Sequence, residues 1–184
     1  MMRNTFTALA LLVASPALAT GLQIEVAGEA NGTITIDLLD DVAPNHVAQI
    51  AALAEAGAYD GVVFHRVIDG FMAQTGDVEY GTLEGGDMRR AGSGSSDKPD
   101  LKEEFSDVPF ERGVVGMARS KSVDSANSQF FIMLAPKPHL DGAYTVVGKV
   151  TDGMDVVDAI KLGLGGNGAV IGQPDVMTSV KVID

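Results

Sequence analysis

Two apolar–polar alternations lie side by side near the start of the chain, LQIEVA at residues 22–27 and TITIDLL at 33–39. Side chains alternate faces along a strand, so a period of two marks a strand with one buried face. Asn31-Gly32 falls between them, and because both residues tolerate positive φ the pair predicts a hairpin turn. Further short strands are expected over 61–68, 71–75, 113–118, 128–134 and 145–150, with a closing strand over 175–183. Many short strands divided by glycine-containing turns point to an all-β barrel or sandwich. Two segments break the pattern. Pro44 suits the first turn of a helix in which Val47, Ile50, Ala51 and Ala54 recur at helical spacing before Gly57. A second helix is expected over 153–163, with Val156, Val157 and Ile160 on one side and Asp155 at its favourable N-terminal end.

Residues 76–112 have a different texture. GDVEYGTLEGGDMRRAGSGSSDKPD is rich in Gly, Ser and Asp with little apolar periodicity, which predicts a long surface loop. Neither flank has an independent core, so the chain reads as one domain without repeats. At 184 residues it is long enough for one well-buried core. Cysteine is absent, so stability must come from burial, and thiol catalysis and thiolate metal sites are excluded. His46, His65 and His139 lack metal-ligand spacing, and no metal or other cofactor is expected. The formal charge of −12 argues against nucleic acid and anionic membrane as partners.

The first nineteen residues, MMRNTFTALALLVASPALA, combine a basic start at Arg3, an apolar run and the small-residue ending Ala17-Leu18-Ala19. This is the layout of a cleavable secretory signal, and the run is too short to span a bilayer stably. The expected division is therefore a signal peptide at 1–19 and one domain at 20–184. In a bacterial host the destination would be the periplasm, without stable membrane insertion.

The stretch that bears most on function is FHRVIDGFMAQTGD at 64–77, where Arg66 sits among Phe64, Val67, Ile68, Phe71 and Met72. Taken alone, such an arginine would be read as a salt-bridged surface group. However, this stretch and four others, GVVGMARS (113–120), ANSQFFIML (126–134), HLDGAYTVVGKVTDGMDVVDAI (139–160) and PDVMTSVKVI (174–183), resemble the cyclophilin family of peptidyl-prolyl cis-trans isomerases, in order and approximate spacing. The resemblance covers residues 22–183. It implies a mainly β fold, a closed eight-stranded antiparallel β-barrel capped by two helices. It also implies a monomer acting on proline-containing unfolded or extended polypeptides.

The resemblance assigns catalytic roles to Arg66 and Gln74. It assigns the proline pocket to Phe71, Met72, Phe131 and Leu140, with Gln129 helping to orient Arg66. The backbone of Ala118, Arg119 and Ser120 would pair with residues preceding the proline, and His139 and Tyr144 would border the ligand. Phe64, Phe130 and Ile132 are expected in the core, His65 in a structural role, and Asp77 in a loop hydrogen-bonding role. Three positions depart from the usual pattern: His139 where tryptophan is common, Tyr144 where histidine is common, and Arg119-Ser120-Lys121, which adds positive charge beside the groove. The missing indole predicts weak cyclosporin binding. Two rival readings remain. One is a binding module or holdase that grips extended, proline-containing chains, with turnover incidental. The other is a Ser/His/Asp hydrolase, for which no G-x-S-x-G elbow exists.

Overall fold

The computed structural model describes residues 20–184, so the expected signal peptide lies outside the described residues. Among the described residues, nine strands form one sheet: β1 (Gly21–Ala27), β2 (Gly32–Leu38), β3 (Val62–Val63), β4 (Arg66–Ile68), β5 (Met72–Thr75), β6 (Val114–Met117), β7 (Phe130–Met133), β8 (Val146–Asp152) and β9 (Val176–Ile183). Every ladder is antiparallel, and the spatial order is β3-β9-β1-β2-β8-β6-β7-β5-β4.

The count of nine rather than eight has a local cause. The segment expected as one strand over 61–68 breaks at Phe64–His65, where Phe64 N–H donates to Asp175 and Val170 N–H donates to the carbonyl of His65. Its two halves, β3 and β4, pair at opposite ends of the sheet with β9 and β5. The sheet therefore curls until its ends are joined by the chain itself rather than by a ladder. Neither end is left as a bare edge, which would invite pairing with another chain. Residues 81–83 lie along β3 through Val63 N–H to Gly81 and Leu83 N–H to Gly61, and residues 163–170 lie along β4.

The alternation in β1 and β2 holds: Leu22, Ile24, Ile34, Ile36 and Leu38 are buried, with Leu22 opposite Ile36 and Ile24 opposite Ile34. The hairpin differs from expectation. Gly32 is already paired with Val26, so the connection is the wider Ala27–Asn31 loop. It is held by Asn31 donating to Gly28 and Ala30 N–H donating to Asp175. Helix α1 (Pro44–Glu55) buries Val47, Ile50, Leu53 and Ala54, so Leu53 takes the place expected for Ala51. Helix α2 (Met154–Ala159) is shorter than expected, because Ile160 turns extended and Lys161 N–H donates to Asp175 instead of continuing the helix.

The strands carry two apolar faces. Inside the curl, Phe64, Val67, Ala73, Phe130 and Ile132 join the main core. On the opposite face of the same strands, Met72, Phe131 and Met133 gather with Phe110, Val114, Leu140 and Val146 into a smaller cluster. That second face carries the candidate site. Among the described residues, no helix is long and apolar enough to cross a membrane.

Candidate active site

Strand register assembles the site. Arg66 is opposite Gln74, Gln74 opposite Phe131, and Phe131 opposite Gly116, a single row across β4, β5, β7 and β6. Residues directly opposite share a face, so the row sets a charge, an amide and a ring side by side. Gly116 is bare in this row because nothing larger fits: a Cβ there would lie 2.6 Å from the rings of both Phe110 and Phe131. The stacked Phe110–Phe131 pair, with centroids 5.8 Å apart, lies over that bare backbone.

Arg66 is half-buried and its guanidinium is held on three sides. Nη1 donates to Gln74 Oε1 at 3.0 Å, Nε to the carbonyl of Asn167 at 2.8 Å, and Nη2 to Asn167 Oδ1 at 3.1 Å. Nη1 also points at Met72 Sδ, 3.8 Å away, and since a guanidinium has five N–H bonds, one on Nη2 has no acceptor among the described residues. Burial lowers the Arg66 pKa from its usual value, partly offset by Tyr144, yet an arginine stays protonated throughout the working range of a protein. Gln74 in turn donates to Gln129 Oε1 at 3.0 Å, and Gln129 donates to the carbonyl of Gly94 at 2.8 Å. The amide orientations are thus fixed in one direction, from Gly94 to the guanidinium.

Nine of the residues expected at the site border one cavity of about 110 Å³: Arg66, Phe71, Met72, Gln74, Ala118, Arg119, Phe131, Leu140 and Tyr144. Its floor is apolar, from Met72, Phe131 and Leu140, and its rim carries Arg66 and Gln74. Ser120 and Gln129 border an adjoining cavity of about 310 Å³, which also touches Gln74, Ala118 and Arg119. His139 enters neither; it is an exposed rim residue whose ring centroid is 6.4 Å from that of Phe71. The side chain of Arg119 lies 4.4 Å above the Tyr144 ring and donates to the carbonyl of Ala143, roofing the pocket edge. In the segment 118–120, Ala118 N–H donates to Gln129 and Ser120 N–H to Ser125 Oγ. The backbone N–H and C=O of Arg119 have no partner among the described residues.

His65 is buried, and neither ring nitrogen has a hydrogen-bond partner among the described residues. Desolvation, against a smaller opposing pull from Asp77, pushes its pKa down to about 4, so the ring is neutral and packs as a structural group. Asp77 is likewise an anchor rather than a reacting group. It is fully buried and accepts four backbone N–H bonds, from Glu79, Tyr80, Gly92 and Gly94.

Sequence reasoning missed Asn167, which makes two of the three oxygen contacts to Arg66. It is the one non-glycine residue among those described with positive φ, at 56°. A signal for it was present in Gly165-Gly166-Asn167-Gly168, since asparagine is the side chain that best tolerates the left-handed region. The loop it belongs to is tied to the β4 side by Gly163 N–H donating to Val67 and Val170 N–H donating to His65.

Comparison with known proteins bears on this geometry. Residues 22–182 match the family described as cyclophilin type peptidyl-prolyl cis-trans isomerase/CLD. A Brucella suis protein named probable peptidyl-prolyl cis-trans isomerase is 56% identical over 146 residues, spanning 79% of this chain and 74% of that protein. Among solved structures, a cyclophilin from Hirschia baltica superposes with a TM-score of 0.68 at 26% identity, covering 87% of this chain and 72% of that one. A cyclophilin-type isomerase from Cryptosporidium parvum, determined in the presence of the dipeptide Ala-Pro, gives a TM-score of 0.74 at 23% identity over 89% and 99% of the two chains, a likeness of fold.

Proposed function

We propose that this chain, which belongs to the cyclophilin-type peptidyl-prolyl cis-trans isomerase family, speeds X-Pro rotation in exported proteins by hydrogen bonding from Arg66 to the twisting prolyl nitrogen. Rotation about the amide meets a barrier of about 18–20 kcal/mol, and uncatalysed it takes roughly tens to hundreds of seconds. No bond breaks, so the reaction needs no nucleophile and no proton transfer. As the amide twists, resonance is lost, the nitrogen becomes pyramidal and its lone pair becomes an acceptor. A donor fixed beside that nitrogen binds the twisted form better than either planar form, which is the condition for acceleration.

The observation that carries this reading is the clamped guanidinium over an apolar pocket. Asn167 and Gln74 hold three of its N–H bonds; of the other two, one on Nη1 faces only the weak acceptor Met72 Sδ and one on Nη2 has no acceptor among the described residues, and both belong to a group on the pocket rim. Met72, Phe131 and Leu140 suit a pyrrolidine ring, and the open backbone of Arg119 suits the strand preceding it. An acceleration of about 10⁵ corresponds to about 7 kcal/mol of differential stabilisation, shared among this hydrogen bond, desolvation and positioning. The leader-like residues 1–19 support export to the periplasm, with residues 20–184 as the working domain.

The test is the cis-to-trans rate of a short X-Pro peptide with and without residues 20–184, where a folded protein giving no acceleration would overturn the proposal. In the same assay Asn167→Ala is expected to lower kcat about tenfold, the worth of one lost hydrogen bond to a charged group, with KM nearly unchanged. Asn167→Gly keeps the left-handed backbone and its carbonyl but loses the same side-chain bond, so a similar tenfold fall is expected, and any larger fall in the alanine variant reports strain at that backbone. A change in KM alone would assign that loop to binding instead of to positioning Arg66.

Cyclosporin is expected to inhibit weakly, above about 1 μM. The chain has no tryptophan, and His139 offers a smaller, exposed ring at the rim. Nanomolar inhibition in the peptide assay would refute this.

A further inference from the structure

Charge in this protein is sorted by place. The chain has 25 acidic and 13 basic residues, yet no Asp or Glu borders any of three cavities that all touch Gln74. Four of the five arginines in residues 20–184 do: Arg66, Arg89, Arg90 and Arg119. The third cavity is an open trench of about 580 Å³ that leads away from Arg66 and Gln74 between residues 89–93 and 166–169. Arg89 and Arg90 lie along its first wall.

Three of these four arginines have no carboxylate oxygen within 4.0 Å among the described residues. Arg66 is held by amides and a carbonyl. Arg90 lies 3.6 Å above the Tyr80 ring and donates to its hydroxyl. Arg119 is held by carbonyls and the Tyr144 ring. Arg89 does pair with Asp87, through Nε and Nη2, but its side chain is 90% exposed and its Nη1 is unoccupied. Elsewhere in the same loop, Asp77 accepts four backbone N–H bonds and Glu79 accepts Ser95 N–H, which leaves Asp87 as the acid paired with this wall. The fifth arginine, Arg112, is remote and paired with Asp158.

Guanidinium groups cannot shed their charge, and like charges gathered in one cleft repel unless something anionic joins them. In an otherwise acidic molecule such a cleft also focuses attraction for anions. We infer that the trench is a subsite for acidic side chains of the client polypeptide flanking the proline. Arg89 and Arg90 are its specificity residues, and Arg119 extends the same preference to the other side of the pocket. This rests on the isomerase reading and names the substrate class for it.

The experiment uses one X-Pro host peptide with Glu, Gln or Lys placed two to four positions from the proline on either side. At low ionic strength kcat/KM is expected to fall in the order Glu, Gln, Lys, with about tenfold between the extremes, as two or three exposed charge pairs would give. In 1 M salt, where the screening length shrinks to about 3 Å, the spread should narrow to about twofold. The double variant Arg89→Gln, Arg90→Gln should lower the Glu-to-Gln rate ratio about threefold. Equal rates for Glu and Lys peptides, or a ratio untouched by the double variant, would overturn the trench while leaving the isomerase intact. Should no peptide be isomerised, the isomerase reading falls. Fluorescence anisotropy on the same peptides then decides the trench, tighter binding of the Glu peptide supporting it and equal binding ending it.

Discussion

Arg66→Ala is expected to lower kcat/KM for a short X-Pro peptide by about 10²–10³-fold, the usual loss when one donor aimed at developing charge is removed. The loss should fall on kcat. Ground-state binding depends on the apolar floor of Met72, Phe131 and Leu140 and on the open backbone of Arg119, none of which the substitution touches. Peptide affinity, measured by titration, is therefore expected to change less than about threefold. Arg66→Lys is the sharper variant, because it keeps the charge. An ammonium cannot reproduce a planar fork bonded at once to Gln74 and to both oxygens of Asn167. If the clamp matters, lysine should recover less than a tenth of the activity. If lysine restores it fully, a positive charge near the amide suffices and the hydrogen-bond geometry is irrelevant. If alanine keeps full activity, the apolar pocket alone performs the catalysis. Loss of binding and kcat together would return the holdase reading, with Arg66 as a peptide anchor.

Why the arginine could be found without coordinates, while its main clamp could not, follows from where their information lies. Arg66, Gln74 and Phe131 sit in short strands whose period of two fixes which neighbours share a face. Motif and register therefore agreed, and Phe130 and Ile132 fell to the core as their alternation requires. Asn167 lies 101 residues from Arg66 in a segment without periodicity, and long-range backbone pairing of residues 163, 169 and 170 brings it to β4. The Asn31-Gly32 pair misled for a related reason. Its turn propensity is local, but Asp175, 145 residues from Ala30, takes the Ala30 N–H and holds a wider loop open. The same carboxylate ends α2 early by accepting Lys161 N–H. One buried aspartate thus overrode two local preferences, and nothing in the local sequence encodes that.

The long polar segment at 76–112 was legible as a loop but not as one gathered on a buried carboxylate, and Asp77 supplies the difference. Its carboxylate is fully buried, and its Oδ1 and Oδ2 each accept two backbone N–H bonds, which gathers residues 77–94 around one charge. Desolvation opposes that charge, but the four donors together outweigh it and hold the carboxyl below its usual range. Asp77→Asn removes the charge and turns one acceptor into an NH₂ group facing two donors. The expected loss is about 3 kcal/mol at pH 7, or about 10 °C in Tm for a chain of this size, read by thermal and urea unfolding. The pH dependence carries a definite sign. A carboxyl whose folded pKa lies below its unfolded value of about 3.9 contributes fully above that value and loses its contribution as pH falls through the folded pKa. The wild type should therefore weaken below about pH 4 and the gap to the variant should shrink there. A gap that stays constant on acidification would mean that shape, not charge, is what Asn fails to supply. The effect should also reach the site, because Gly94 links the two: its N–H is held by Asp77 and its C=O receives Gln129, which fixes Gln74 and so Arg66. At a temperature where the variant is still folded, kcat is thus expected to fall severalfold with KM little changed. An unaltered kcat would show that the amide relay holds Arg66 without its anchor.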